Sequence, residues 1–257
     1  MSQSVRQSND APVRAARQLS FVRLTAVEIR KLVDTRSSRA IFAVLAGLAA
    51  ALIIGFAVVN GAQGMQITFA GLAGGIGLFT ALAMPLIGIL GMTSDTAHRT
   101  TYVYYPLLRG RTAQFWAKVL AAAVLAMILQ IFVFVLAGIT AFAANPGGAG
   151  TFDGAGQAIR ADLAASLLSM MFGVALAAAI RRTALAIIAV ILISLVGNGL
   201  ILTLLPDASG YLSTITAMGA MAGGPEAPSA LEVLSSLTLW YLIPLGIGWW
   251  ITEKTEA

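Results

Sequence analysis

The sequence contains no cysteine and only one histidine, His98, among its 257 residues. Disulfide bonds, thiol catalysis and zinc sites made of His and Cys ligands are therefore excluded. The chain also lacks the G-x-x-x-x-G-K-[ST] phosphate-binding motif, the H-E-x-x-H motif of metalloproteases and the G-x-S-x-G motif of hydrolases. We expect the chain alone to be no enzyme and to bind no metal or cofactor.

Charged residues are scarce as well. They make up 11% of the chain, against about 25% in soluble domains, while 58% of the residues are hydrophobic. A protein with so little charge cannot cover a water-facing surface, so its surroundings must be mostly lipid. The net charge of +5 would suggest nucleic acid in a soluble protein. Here we attribute it to membrane topology and expect no nucleic-acid partner.

Six apolar runs are long enough to cross a bilayer, which takes roughly 20 apolar residues in a helix. They cover residues 40–59, 67–92, 113–143, 163–180, 183–205 and 233–251. The sequence therefore predicts an all-α polytopic membrane protein with a six-helix transmembrane domain over 40–251. We expect a disordered tail over 1–12, an amphipathic helix within 13–39 and a short tail over 252–257.

The basic residues are distributed unevenly about these spans. Segments 1–39, 93–118, 181–182 and 252–257 share one side of a six-span topology and hold 15 of the 16 Lys and Arg residues. The other side has Arg160 alone, together with Asp153, Asp162, Asp207, Glu226 and Glu232. Because Lys and Arg are retained on the cytoplasmic side, the pattern predicts a multi-pass cell-membrane protein with both termini in the cytoplasm.

The segment before the first span has a helical pattern with two faces. The apolar face consists of Val22, Ala26, Ile29 and Val33, and the charged face of Arg23, Arg30, Lys31 and Asp34. Such a basic amphipathic helix is expected to lie in the membrane interface, in contact with lipid. The alternative is a solvated helix that carries cytoplasmic charge and has no further role.

The loop over 93–111 is expected to hold a short cytoplasmic helix between spans two and three. Thr93 or Ser94 would cap its first turn, and Pro106 would end it. Tyr102, Tyr104 and Tyr105 are unusual in a simple connector, and exposed aromatic residues are favoured at protein interfaces. We interpret them as docking residues. The alternative is that they pack among lipid headgroups.

Ionisable residues are nearly absent from the predicted spans, which disfavours coupling to an ion gradient. The candidates for a pathway or for helix packing are Thr80, Pro85, Gln130 and Asn198. Pro85 is expected to kink the second span. Gln130 and Asn198 either line a pathway or, as we favour, form hydrogen bonds between helices. Gly71 and Gly75 predict a close helix contact, and residues 206–231 form either a re-entrant hairpin or a surface loop.

Two stretches carry a family resemblance. The first is Glu28-Ile29-Arg30-Lys31-Leu32 followed by Thr35-Arg36-Ser37. The second is Asp95-Thr96-Ala97-His98-Arg99-Thr100, followed by Arg109-Gly110-Arg111 and Ala117-Lys118. With these motifs and six spans, the sequence resembles the ABC-2 family of exporter permeases, especially its short bacterial members.

The resemblance implies a permease subunit that dimerises with a second copy or a homologue and docks a separate ATPase, which binds ATP and Mg²⁺. The implied docking residues are Glu28, Arg30, Lys31, Asp95, His98, Arg99, Tyr102, Tyr104, Tyr105 and Arg109. Two other hypotheses stay open at this point: a gradient-driven carrier or channel, and a membrane anchor or assembly factor that transports nothing. The sequence does not indicate the substrate.

Overall fold

The computed structural model describes residues 20–97, 111–146, 148, 150–222 and 227–254, and every regular element in these ranges is a helix. The first six are α1 (Phe21–Asp34), α2 (Arg36–Ala62), α3 (Phe69–Gly75), α4 (Gly77–Ala97), α5 (Arg111–Ala144) and α6 (Ala155–Ile180). They are followed by α7 (Thr183–Leu204), the 3₁₀ turn Pro206–Ala208, α8 (Ser209–Leu212), α9 (Thr216–Ala222) and α10 (Ala230–Lys254). The helices α7 and α10 each contain a π-helical stretch, Leu192–Gly197 and Thr238–Leu242.

Within the described ranges, six helices are long and apolar enough to cross a membrane: α2, α4, α5, α6, α7 and α10. The prediction of an all-helical bundle with six candidate spans is confirmed at this level. In α6, 56% of the most apolar window is buried in the bundle, against 11% in both α7 and α10. The α6 helix is therefore central, while α7 and α10 present broad apolar faces to their surroundings.

The predicted second span is not one helix. Thr68 caps α3 by accepting a hydrogen bond from the Gly71 amide, and the chain breaks at Ile76 before α4 begins. Glycines flank the break and weaken helix continuity there. Gly75 also lies against span α2, where an added Cβ would come within 2.6 Å of the Phe56 ring. This contact is packing within one chain.

The fourth span is longer than predicted. Gly154 has a left-handed backbone (φ 70°), and α6 begins directly after it, at Ala155 rather than 163. Arg160 and Asp162, which the sequence pattern placed in a loop, therefore belong to this helix. The exposed Arg160 is accommodated because its Nε donates a hydrogen bond to Gly156 O, 3.2 Å away in the preceding turn.

The tightest helix pair is α4 with α6, whose backbones touch at two glycines. A Cβ on Gly173 would lie 2.2 Å from Pro85 O, and one on Gly88 would lie 2.3 Å from Met170 O. Any side chain at these positions would collide with main-chain atoms. Small residues allow this approach, which maximises dispersion contact between apolar helices.

The two ends of the bundle differ in charge. We call "basic end" the end that holds α1, the end of α4, the start of α5, the Arg181-Arg182 junction and the end of α10. The opposite "acidic end" holds Asp153, Asp207 and the segment from Pro206 to Ala222. At the basic end the Thr112 hydroxyl donates a hydrogen bond to Glu253, which joins the start of α5 to the last turn of α10.

Candidate functional site

At the basic end, α1 docks on the bundle through one face. Ser20 caps the helix by accepting a hydrogen bond from the Arg23 amide at 3.4 Å. Thr25, Glu28 and Leu32 are buried, and Leu32 packs in the same apolar cluster as Phe115, near the start of α5. The helix is thus held to the bundle by side chains that recur every three to four residues along it.

The apolar face predicted from the sequence coincides with the docking face only in part, because Ile29 packs against the apolar cluster that contains Leu32. Val22 is 76% exposed and Val33 is 39% exposed, and Ala26 between them is exposed too. The pattern therefore located a real apolar stripe, of which Ile29 faces the bundle while Val22, Ala26 and Val33 are exposed. An exposed apolar stripe beside a charged one is the arrangement expected of a helix in a membrane interface.

The three α1 residues predicted to dock an ATPase have different environments. Glu28 is 3% exposed, and Lys31 Nζ donates a hydrogen bond to Glu28 Oε1 at 2.8 Å. Glu28 thus faces the bundle and orients Lys31. Arg30 is exposed and forms a 3.6 Å ion pair with the equally exposed Asp34, which contributes little to stability. Arg30 is the one of the three that presents its charge outward.

The remaining predicted docking residues lie at the end of α4 or in the connection between α4 and α5. Asp95 lies in the last turn of α4, but its side chain is outside the described part of the structure. His98, Arg99, Tyr102, Tyr104, Tyr105 and Arg109 lie outside the described residues altogether. The two ends of the connection are close to α1, since α1 contacts both α4 and α5.

The cap predicted at Thr93 and Ser94 is absent. The Thr93 hydroxyl donates to Ile89 O at 2.8 Å and that of Ser94 donates to Gly91 O at 3.4 Å, as these residues do inside helices. The α4 helix therefore continues through both to Ala97. Thr93 is buried and accepts a 2.9 Å hydrogen bond from the Thr183 hydroxyl, which links α4 to the start of α7.

Inside the bundle, Pro85 leaves a backbone carbonyl of α4 without its helical hydrogen-bond donor, and a side chain of α6 supplies one. Proline has no N–H, so the carbonyl of Ala81, four residues earlier, loses its helical partner. The Ser169 hydroxyl donates a hydrogen bond to Ala81 O at 3.0 Å. Gly173, one turn further along α6, gives the Pro85 backbone room to approach. The α4–α6 contact is thus built around the proline.

Gln130 is also paired across helices. It is 2% exposed, and its Oε1 accepts a 2.8 Å hydrogen bond from the Ser166 hydroxyl of α6. The amide is therefore part of the α5–α6 contact. Along α6, Asp162, Ser166, Ser169 and Gly173 follow a spacing of four, three and four residues, which places them on one helix face.

That face of α6 lines a cavity of about 130 Å³ towards the acidic end. Its other walls come from the break between α3 and α4 and from α9. The lining residues are Ala73, Gly77, Thr80, Ala81, Asp162, Ala165, Ser166, Ser169 and Met218. Thr80, one of the pathway candidates from the sequence, is among them. Among the described residues that line the cavity, Asp162 is the only ionisable one.

Asn198 holds the segment after α7 in place. Its Oδ1 accepts hydrogen bonds from the Ser213 hydroxyl, the Thr214 amide and the Thr214 hydroxyl at 3.0–3.1 Å. Its Nδ2 donates to Thr214 Oγ1 at 2.8 Å. From α10, Trp240 Nε1 donates to Leu212 O at 2.6 Å. The segment 209–222, which contains α8 and α9, is therefore tied to α7 and α10, and α9 packs against α6.

Sequence reasoning missed Asp162, because the charge pattern had assigned it to a loop. The signal that identifies it is the α6 spacing described above, which aligns a carboxylate with two serines and a glycine. No group of three or more metal-ligating side chains occurs in the parts of the chain that the structure describes. No family model matches the sequence, and no curated protein matches it.

Proposed function

We propose that this chain is the membrane-spanning permease subunit of an ATP-binding cassette exporter, working with a separate ATPase and a second permease copy or homologue. The observation that carries the proposal is the convergence of α1 with both ends of the α4–α5 connection at the basic end of the bundle. These are the two segments in which the motifs of the resemblance lie. A partner docked at this end would therefore be within reach of α1 and of the described ends of the connection.

The packing suggests how an ATPase would act on the bundle. Leu32 and Phe115 join α1 to α5, and the α4–α6 pair is locked by its glycine contacts. A force applied at the basic end would therefore move α1, α4, α5 and α6 together, since close-packed helices transmit displacement. The ATPase would bind ATP and Mg²⁺, and this chain would supply the docking surface and the pathway.

Co-purification tests the proposal. The chain is co-expressed with a candidate ATPase, chosen as a P-loop protein encoded in the same operon, and purified through a tag on the chain. We expect the ATPase to be retained, and Arg30→Glu to reduce its retention by about 10-fold, because a reversed charge at a docking surface opposes the partner. Arg160→Glu is the matched control, being an exposed arginine at the other end of the bundle. Two well-folded proteins that do not associate would contradict the proposal.

A gradient-driven carrier is the second candidate, and Asp162 favours it. The sequence pattern argued against ion coupling because almost no ionisable residue was assigned to the spans, whereas the structure includes Asp162 in α6. Ionisable residues within spanning helices often mark the path of a transported cation. Transport that continues after deletion of the ATPase gene and stops when an uncoupler is added would support this candidate over the first.

A further inference from the structure

The cavity beside α6 contains a carboxylate oxygen without a partner. Oδ2 of Asp162 is buried from solvent and accepts no hydrogen bond from any residue that the structure describes. No described Lys or Arg forms an ion pair with Asp162. Burying a carboxylate oxygen without a donor is costly, and a bound cation would offset that cost.

The hydroxyl groups that line the cavity already donate their hydrogens to other protein atoms. Thr80 donates to Ile76 O at 3.2 Å, Ser166 to Gln130 Oε1 at 2.8 Å, and Ser169 to Ala81 O at 3.0 Å. A hydroxyl has one hydrogen to donate and two lone pairs with which to accept. All three side chains can therefore only accept hydrogen bonds from a molecule in the cavity, as can Asp162.

The size of the cavity and its apolar walls narrow the class of ligand. A volume of about 130 Å³ is several times what one water molecule needs. Ala73, Ala165 and Met218 supply apolar surface beside the oxygens. A lining that only accepts hydrogen bonds rejects anions and favours a positive group with several N–H donors. The apolar walls leave room for a short carbon chain attached to it.

We propose that this cavity binds the protonated primary amino group of a small organic molecule, with Asp162 as counter-ion and the three hydroxyls as acceptors. Binding needs only this chain and holds whatever the transport mechanism is. That such an amine is also the exported cargo rests on the proposed function.

Calorimetric titration of the full chain, purified in maltoside micelles, tests the site with n-propylammonium chloride as the probe. We expect saturable binding that Asp162→Asn weakens at least about 10-fold, since the amide keeps the shape but removes the charge. Asp153→Asn, at an exposed aspartate on the same end of the bundle, should leave the affinity unchanged. Tetramethylammonium carries the charge without N–H donors and should bind at least about 10-fold more weakly.

Thr80→Val serves as a second variant if Asp162→Asn does not fold. This substitution keeps the side-chain shape and removes one hydrogen-bond acceptor, so it should weaken binding of the probe by roughly 10-fold. The proposal is overturned if the probe does not bind, or if it binds the variants and the parent chain with equal affinity. It is also overturned if NaCl or KCl displaces the probe at equal concentration, because that result would indicate an alkali-ion site.

A soluble amine and a lipid headgroup are the two sources of such an amino group, and nanodiscs separate them. Weaker probe binding in phosphatidylethanolamine discs than in phosphatidylcholine discs would support the site and assign the group to a lipid. Equal binding in both discs would support the site and assign it to a soluble amine. The co-purification experiment with the ATPase is independent of each of these results.

Discussion

Ser169→Ala combined with Pro85→Ala examines the polar contact at the centre of the bundle. In the parent chain the Ser169 hydroxyl is the hydrogen-bond donor to Ala81 O, whose usual helical donor is missing because residue 85 is proline. Removing the hydroxyl leaves this carbonyl unpaired, which costs about 1–3 kcal/mol in a buried setting. Hydrogen bonds between membrane helices average about 0.6 kcal/mol, so we expect a loss near 1 kcal/mol.

Pro85→Ala changes the expected result for the same serine. Alanine restores an N–H at position 85, which can bond to Ala81 O within the helix. Ser169→Ala should then cost close to nothing, so the two substitutions should be coupled by about 1 kcal/mol. Unfolding is followed by tryptophan fluorescence as SDS is titrated into detergent micelles, and the four chains of the cycle are compared.

The control and the refuting result both depend on whether the unfolding free-energy costs of two substitutions add. The Thr203 hydroxyl donates to Gly199 O within its own helix, where no proline interrupts the bonding. Thr203→Val should therefore cost little and show no coupling to Pro85→Ala. If Ser169→Ala costs the same with proline and with alanine at position 85, to within about 0.3 kcal/mol, Ser169 does not compensate for the proline.

Three further predictions follow from the packing. Gly173→Ala should lower the apparent Tm by roughly 4–8 °C, because the added Cβ would collide with the Pro85 backbone at a cost of about 2 kcal/mol. Gly47→Ala should not lower it, because a Cβ added at Gly47 has no atom within 4 Å. Leu32→Ala should cost about 2–5 kcal/mol in SDS unfolding and Val22→Ala less than about 0.5 kcal/mol, since only Leu32 is buried; equal costs would contradict the docking face. Asn198→Ala should raise the hydrogen-exchange rate of the Thr214 amide about 10-fold by mass spectrometry, and an unchanged rate would show that the segment is held by other contacts.

The position of Asp162 within α6 bears on the choice between an ATPase-driven exporter and a gradient-driven carrier. An exporter driven by an ATPase requires no charge in the spans, and the predicted spans met that condition almost completely. If the chain is a transporter, the carboxylate in α6 would favour cargo that carries a positive charge under either hypothesis. Titration of the purified chain tests whether such a group binds.

The sequence by itself determined the number of candidate spans and the difference in charge between the two ends. Both depend on local composition, since hydropathy over about 20 residues and the positions of Lys and Arg can be read without knowing any contact. Local reasoning also located the apolar stripe on α1. It misplaced the start of α6, because one arginine and one aspartate were taken as the end of a span.

Only the tertiary structure decided which face of α1 touches the bundle and what the polar residues of α6 do. These features depend on partners far apart in the chain: Ser169 and Ala81 are separated by 88 residues, and Ser166 and Gln130 by 36. A serine in an apolar run looks the same in sequence whether it faces lipid, a proline-interrupted helix or a cavity. Its role is set by the neighbouring helix, and that neighbour is determined by close packing at Gly88 and Gly173 rather than by any local pattern.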